Sequence, residues 1–214
     1  MAAYKTLKGQ LIKKVDSDPT NPVEGQIWYN NSEGTLKGHP ALLAWSTGGS
    51  LNIAHRDTMA AGTQTAGLCF GGNPPSNGIT ATEEYNGAGW ETAGALNTAR
   101  RAAATFSAST QTAGLVFGGD SSSTVINATE EYNGTAWTSV NNMGAAVYIQ
   151  GGAGIQTAAL SFGGYTGTAR VATTEEYDGT NWTSGNSMSL ARYSLASAGL
   201  QTAALAMGGN PAGP

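Results

Sequence analysis

The sequence predicts an all-β protein built from repeated four-stranded units, on three observations. Gln-Thr-Ala recurs at Gln64, Gln111, Gln156 and Gln201, at spacings of 47, 45 and 45, each time followed by a short apolar run that ends in Gly-Gly. Thr-Glu-Glu-Tyr recurs with its tyrosine at Tyr85, Tyr132 and Tyr177, and a tryptophan follows five residues later at Trp90, Trp137 and Trp182. The composition agrees: 31 of 214 residues are glycine, 40% are hydrophobic and only 11% are charged, against a usual charged share of about 25%. Short strands joined by Gly, Asn and Ser turns have this make-up, and no helical apolar period interrupts the repeats.

The elements follow in chain order. Residues 19–38 read as a β-hairpin, in which Ile27 and Tyr29 alternate with Gln26 and Trp28, Asn31–Gly34 turns, and Thr35-Leu36-Lys37 returns. All five lysines lie within the first 37 residues, against four carboxylates, while the rest holds five arginines against ten carboxylates. This sorting marks a boundary between an N-terminal segment, 1–38, and a repeat body, 39–214. The body divides into units at about 53–97, 98–143 and 144–188, with a half unit at 189–209. In the second unit the strands are expected at Ala102–Ser109, Thr112–Phe117, Ile126–Tyr132 and Ala136–Val140. Trp45 is in phase with Trp90, so residues 26–51 are one candidate for completing the half unit. The chain is otherwise read as part of a longer repeat protein.

Each repeated residue has an expected structural task. Gly71-Gly72, Gly118-Gly119, Gly163-Gly164 and Gly208-Gly209 end strands, leaving bare backbone on which a ring from a neighbouring strand could lie. Tyr85, Tyr132 and Tyr177, with Trp45, Trp90, Trp137 and Trp182, are the rings expected to staple unit to unit. Adjacent glutamates on a strand face opposite ways, so Glu83-Glu84, Glu130-Glu131 and Glu175-Glu176 do not form acid–base couples. The first glutamate of each pair is expected to meet a backbone donor or an arginine, with Arg100 and Arg192 as the arginines in place.

Gly-Gly, then Glu-Glu-Tyr-Asn/Asp-Gly, then Trp, then Met or Leu with Arg about four residues on, resembles the Kelch motif over residues 41–209. The resemblance implies a β-propeller of four-stranded blades, either four blades or part of a larger ring. The string Pro22-Val23-Glu24-Gly25-Gln26-Ile27-Trp28-Tyr29-Asn30, continued by Gly34-Thr35-Leu36-Lys37, resembles a motif near the start of tailed-bacteriophage structural and fibre proteins. That second resemblance implies a virion protein: residues 1–38 would attach to other virion proteins and the repeats would face outward.

Several function classes find no support. A net charge of −4 gives no basic footprint for nucleic acid. One cysteine and two histidines exclude a disulfide framework and a multi-histidine metal centre. No apolar run approaches the ~20 residues of a membrane span, and the lysine-studded start lacks the apolar stretch of a signal peptide. A copper site of the galactose-oxidase type needs a His, Tyr and Cys cluster that these residues do not supply; Cys69 is read as a core residue in a place held elsewhere by Val116, Ser161 and Ala206. No catalytic residue, cofactor or metal is expected.

What varies between units points to binding. The segments after Gly-Gly differ in length and polarity, making Asn73, Asn77, Asp120, Ser122, Tyr165 and Arg170 candidate ligand-facing residues. Tyr148, Tyr165, Tyr193 and Arg170 break the repeat, and aromatic planes beside polar groups suit sugar stacking. The expected protein is a non-enzymatic virion appendage, homo-oligomeric, that presents its propeller to a host-surface glycan or protein. The alternatives are a carbohydrate-active propeller enzyme and an intracellular Kelch scaffold.

Overall fold

The computed structural model describes residues 12–22, 26–38, 48–74, 77–104 and 109–211. They contain strands and turns and no helix. The chain divides into two compact bodies, Met1–Thr47 and Gly48–Pro214.

In the N-terminal body the hairpin is present, with a strand added. Strands β1 (Lys13–Val15), β2 (Ile27–Asn30) and β3 (Thr35–Gly38) form one sheet in the order β1-β2-β3. β2 pairs antiparallel with β3 and parallel with β1. Trp28 and Asn30 point inward, while Ile27 is 51% exposed. Asp18 explains that choice of face, because its Oδ1 accepts from Trp28 Nε1 at 2.9 Å and Asn30 Nδ2 at 2.8 Å. Its Oδ2 meets Lys37 Nζ at 2.5 Å.

The repeat body is a series of antiparallel meanders. The first unit holds β4 (Met59–Thr63), β5 (Ala66–Phe70), β6 (Thr82–Tyr85) and β7 (Trp90–Thr92) in sequential order. The second holds β8 (Gly114–Phe117), β9 (Thr129–Tyr132) and β10 (Trp137–Val140), with bridges at Ala104–Phe117 and Thr110–Ala113; of its expected first strand, 102–109, residues 105–108 lie outside the described residues. The third repeats the full pattern as β11 (Gly151–Ile155), β12 (Ala158–Phe162), β13 (Thr174–Tyr177) and β14 (Trp182–Ser184). The fourth contributes β15 (Arg192–Tyr193), β16 (Ala196–Leu200), β17 (Ala203–Met207) and β18 (Asn210–Pro211), paired as β16-β17 and β15-β18.

The expected third strand of the second unit is shorter than its apolar pattern suggests. Ile126 and Ala128 instead bond Gly119 O and Gly118 N across the strand end, which takes them out of the ladder.

The core lies between units. Met59, Leu68, Phe70 and Leu96 pack with Val116, Tyr132 and Trp137 of the next unit. Ala104, Leu115, Phe117 and Met143 pack likewise with Val147, Ala159 and Tyr177 of the third, and Trp182 leans on them. Each such side chain removed from water stabilises by about 1.5–3 kcal/mol, so the interfaces hold the body together. The fourth unit shows the converse: Leu205 is 57% exposed, whereas its counterparts Leu68 and Leu115 are 0% and 1% exposed.

Of residues 26–51, expected to complete the half unit, 39–47 lie outside the described residues and Ile27–Asn30 belong to the N-terminal sheet. Both edges of β2 are already occupied, by β1 and β3, so it has no ladder left to offer. Trp45 lies outside the described residues.

Candidate functional site

The repeated residues are consumed in joining units. Tyr132 Oη donates to Glu84 Oε1 of the preceding unit at 2.7 Å, and Tyr177 Oη to Glu131 Oε1 at 2.9 Å. Trp137 Nε1 donates to Thr82 Oγ1 at 2.9 Å and Trp182 Nε1 to Thr129 Oγ1 at 3.0 Å, again one unit back. The rings nest as well: Phe70 and Trp137 lie 4.7 Å apart between centroids, as do Phe117 and Trp182. In the first unit Tyr85 and Trp90 pack on each other at 5.1 Å.

The first glutamate of each pair holds the chain that leads into its own unit. Glu130 accepts from Asn97 N and Nδ2, Thr98 N and Arg100 Nη2. Glu83 accepts from Asn52 and Ile53, and Glu175 from the amides of Gly144 and Ala145. Arg100 thus meets its carboxylate, whereas Arg192 donates to Gly208 O. His55 stands in the arginine's place in the first unit; its Nδ1 lies 2.7 Å from Gly71 O and its Nε2 3.9 Å from Cys69 Sγ. Cys69 is buried, and that burial pushes its thiol pKa up.

The Gly-Gly pairs do not carry the rings. All eight glycines have positive φ, and the amides of the first three pairs donate to backbone carbonyls at strand ends and between units. Gly72, Gly119 and Gly164 donate to Arg100 O, Val147 O and Arg192 O, each at the entrance to the next unit. A Cβ on Gly72, Gly119, Gly164 or Gly209 would lie 2.9, 2.9, 3.1 and 2.9 Å from the carbonyl oxygens of Arg56, Arg101, Tyr148 and Tyr193. Left-handed backbone and close chain approach therefore explain these pairs. Glycines within strands do face rings: a Cβ on Gly67 would lie 3.5 Å from Trp90, and one on Gly114 3.4 Å from Trp137.

One contact set had a visible sequence signal without an assigned task. The glutamine of the second, third and fourth Gln-Thr-Ala reaches back to two carbonyls of the preceding unit. Gln111 Nε2 bonds Gly67 O and Tyr85 O, Gln156 bonds Gly114 O and Tyr132 O, and Gln201 bonds Ala159 O and Tyr177 O, all at 2.7–3.0 Å.

At one end of the units, recurring positions carry different residues. Asp57, Ala102, Ile149 and Ser194 all have positive φ. Ala102 N donates to Asp57 O, Ile149 N to Ala102 O and Ser194 N to Ile149 O, forming a chain of bonds from unit to unit. The residues just before it pair with residues that follow Gly-Gly: Arg56 with Asn73, Arg101 with Asp120, Tyr148 with Tyr165 and Tyr193 with Asn210. The first two pairs are polar or charged. The last two bring three tyrosines together.

These tyrosines line an open cleft of ≈ 640 Å³ with Ile149, Thr168, Ala169 and Arg170. Ring centroids lie 5.8 Å apart for Tyr148 and Tyr165, and 5.5 Å apart for Tyr165 and Tyr193. The Arg170 guanidinium sits 5.4 Å from the Tyr193 ring centroid, and its Nη2 donates to Asn210 Oδ1 at 3.3 Å. At the border, Arg101 binds Asp120 Oδ2 through Nε and Nη2 at 3.0 and 2.7 Å. Burial, with the neighbouring Tyr165 and Asp120 next, raises the Tyr148 pKa, so its hydroxyl remains a donor at neutral pH.

Of the candidate ligand-facing residues, Tyr165 and Arg170 meet in this cleft and Asp120 stands at its border. Asn73 is buried beneath the surface, paired with Arg56. Asn77 is exposed elsewhere, next to Gly78, whose amide donates to Ser122 Oγ. Among the described residues no group of three His, Cys, Asp or Glu side chains is placed to hold a metal ion, and no helix is long and apolar enough to cross a membrane. No protein-family model matches the chain, and no curated protein matches it.

Proposed function

We propose that this chain is a non-enzymatic structural and adhesion protein whose repeat body, a Kelch-like propeller or part of one, presents a variable end to a host-surface glycan or protein. The observation that carries this reading is a division of labour. The repeated Tyr132, Tyr177, Trp137, Trp182 and glutamines join units, while Tyr148, Tyr165, Tyr193 and Arg170, which break the repeat, meet in an aromatic cleft. A catalytic assembly requires a nucleophile, base or metal set poised on substrate; three tyrosines and an arginine offer planes and hydrogen-bond donors, the equipment of recognition.

Residues 1–38 would attach the protein to a particle, a proposal that rests on their likeness to the N-terminal motif of phage structural proteins and on their separate sheet. Outward display of the repeats follows from that attachment. Homo-oligomerisation belongs to the same proposal.

Two measurements test it. Binding of the purified protein to a panel of bacterial surface glycans and envelope preparations is expected, with Tyr165→Ala abolishing it; absence of binding to every member overturns the adhesion role. Proteomic counting in purified particles, with and without residues 1–38, tests attachment. Undiminished incorporation of the shortened chain would overturn the anchor.

A further inference from the structure

Resting on the adhesion reading above, we infer that the Tyr148–Tyr165–Tyr193 cleft takes an anionic saccharide, a pyranose bearing a carboxylate or sulfate, with Arg170 as the anion-binding group. The lining has one cation and no carboxylate. Among the described residues Arg170 forms no ion pair, in contrast to Arg100 and Arg101, which hold Glu130 and Asp120. Its side chain's hydrogen bond among the described residues is the 3.3 Å contact to the neutral Asn210 Oδ1, and its Nε is buried without a partner. Asp120, at the cleft border, has its charge taken by Arg101.

Each part of such a ligand has a counterpart. A guanidinium presents a rigid fork of donors that matches a carboxylate or sulfate, and its charge strengthens each bond. Stacking against Tyr193 fixes the plane of that fork, reducing the rotamer freedom lost on binding. The C–H face of a pyranose packs on the apolar face of a phenol, while phenol hydroxyls serve the sugar hydroxyls. Tyr165 stands between the other two rings and so offers the central contact. Repeat arithmetic isolates the arrangement: Arg56 and Arg101 hold the positions of Tyr148 and Tyr193 in the first two units, so the aromatic patch occurs where the third and fourth units meet.

The test is an NMR titration of the full chain with oligogalacturonate, a sulfated galactan oligosaccharide, the neutral galactan oligosaccharide and inorganic sulfate. The first two are expected to shift the Tyr148, Tyr165 and Tyr193 resonances and to bind about tenfold more tightly than the neutral sugar. Whichever of the two binds more tightly identifies the anion. Arg170→Gln is expected to remove that preference and leave neutral-sugar binding, with the rest of the spectrum unchanged as a check on folding. Equal affinity for acidic and neutral sugars, or a preference that survives Arg170→Gln, overturns the anion role while leaving glycan adhesion standing. Inorganic sulfate binding as tightly as the sulfated sugar overturns the saccharide component. Absence of any response at the three tyrosines overturns the cleft as a ligand site, and negative results with all the surface glycans as well remove the adhesion reading.

Discussion

Arg100 Nη2 lies 2.7 Å from Glu130 Oε1, and both side chains are wholly buried. The guanidinium also donates from Nη1 to the carbonyls of Gly118 and Ala128, pinning the strand end where the second unit turns. In the third unit Val147 occupies the arginine's place and Glu175 is held by two backbone amides. The carboxylate is therefore the constant partner of this knot and the arginine an optional one. Glu130→Ala should destabilise by about 3–5 kcal/mol, because it strands a buried cation and several N–H donors. Arg100→Val should cost less than half as much. Urea unfolding midpoints of the two variants check the order; equal losses would refute it.

The glutamine staples predict a second effect. Gln156→Glu exchanges the Nε2 donor for an acceptor facing Gly114 O and Tyr132 O. A loss of about 1–3 kcal/mol is expected, with Gln156→Ala similar or milder. The same unfolding measurements apply, and a neutral Gln156→Glu would show that the two carbonyls are satisfied without it.

Alkaline stability follows from Tyr132 and Tyr177. Burial, then the hydrogen bonds to Glu84 and Glu131, raise both phenols well above their ordinary 10.0. The unfolded chain releases these protons near pH 10 while the folded chain retains them. Stability is therefore intact below about pH 10 and falls as the pH rises beyond it. Tyrosinate absorbance followed alongside circular dichroism should show two phenols ionising only as the sheets unfold. Tyr132→Phe and Tyr177→Phe should remove that late component.

The N-terminal sheet should show the opposite dependence. Hydrogen bonds from Lys37, Trp28 and Asn30 lower the Asp18 pKa from 3.8 to about 2. Its contribution is therefore complete above pH 3.8 and is lost as the pH falls through about 2. The Trp28 indole N–H resonance should move with that midpoint, and Asp18→Asn should abolish the titration. A midpoint near 3.8 would mean that the three donors do not hold the carboxylate.

Much of the fold is legible in the repeats. The spacing of Gln-Thr-Ala, Gly-Gly, Thr-Glu-Glu-Tyr and Trp locates the strands because each motif is local: its turn and its alternation act within a few residues. The task of Gly-Gly is less legible. Glycine at a strand end is compatible with a ring overhead or with a left-handed chain approached by a carbonyl, and only the packed neighbours distinguish them. β1 is hidden for a related reason, since Lys13-Lys14-Val15 has no apolar alternation and acquires its strand form from parallel pairing with β2.

Tyr148, Tyr165, Tyr193 and Arg170 stand out in the sequence as breaks in a periodic pattern, but that pattern is silent on whether they meet. Tyr148 and Tyr165 pair within the third unit, and the offset of the fourth unit against the third brings 165 beside 193. The sequence by itself determined the all-β class, the unit length and the residues shared by every unit, because covalent order and local strand chemistry suffice for those. The tertiary structure alone decided that Tyr132 reaches Glu84, 48 positions away, and that the exceptional residues share one cleft. Such contacts depend on how one sheet settles against the next, and buried area and hydrogen-bond satisfaction summed over the whole interface select that arrangement.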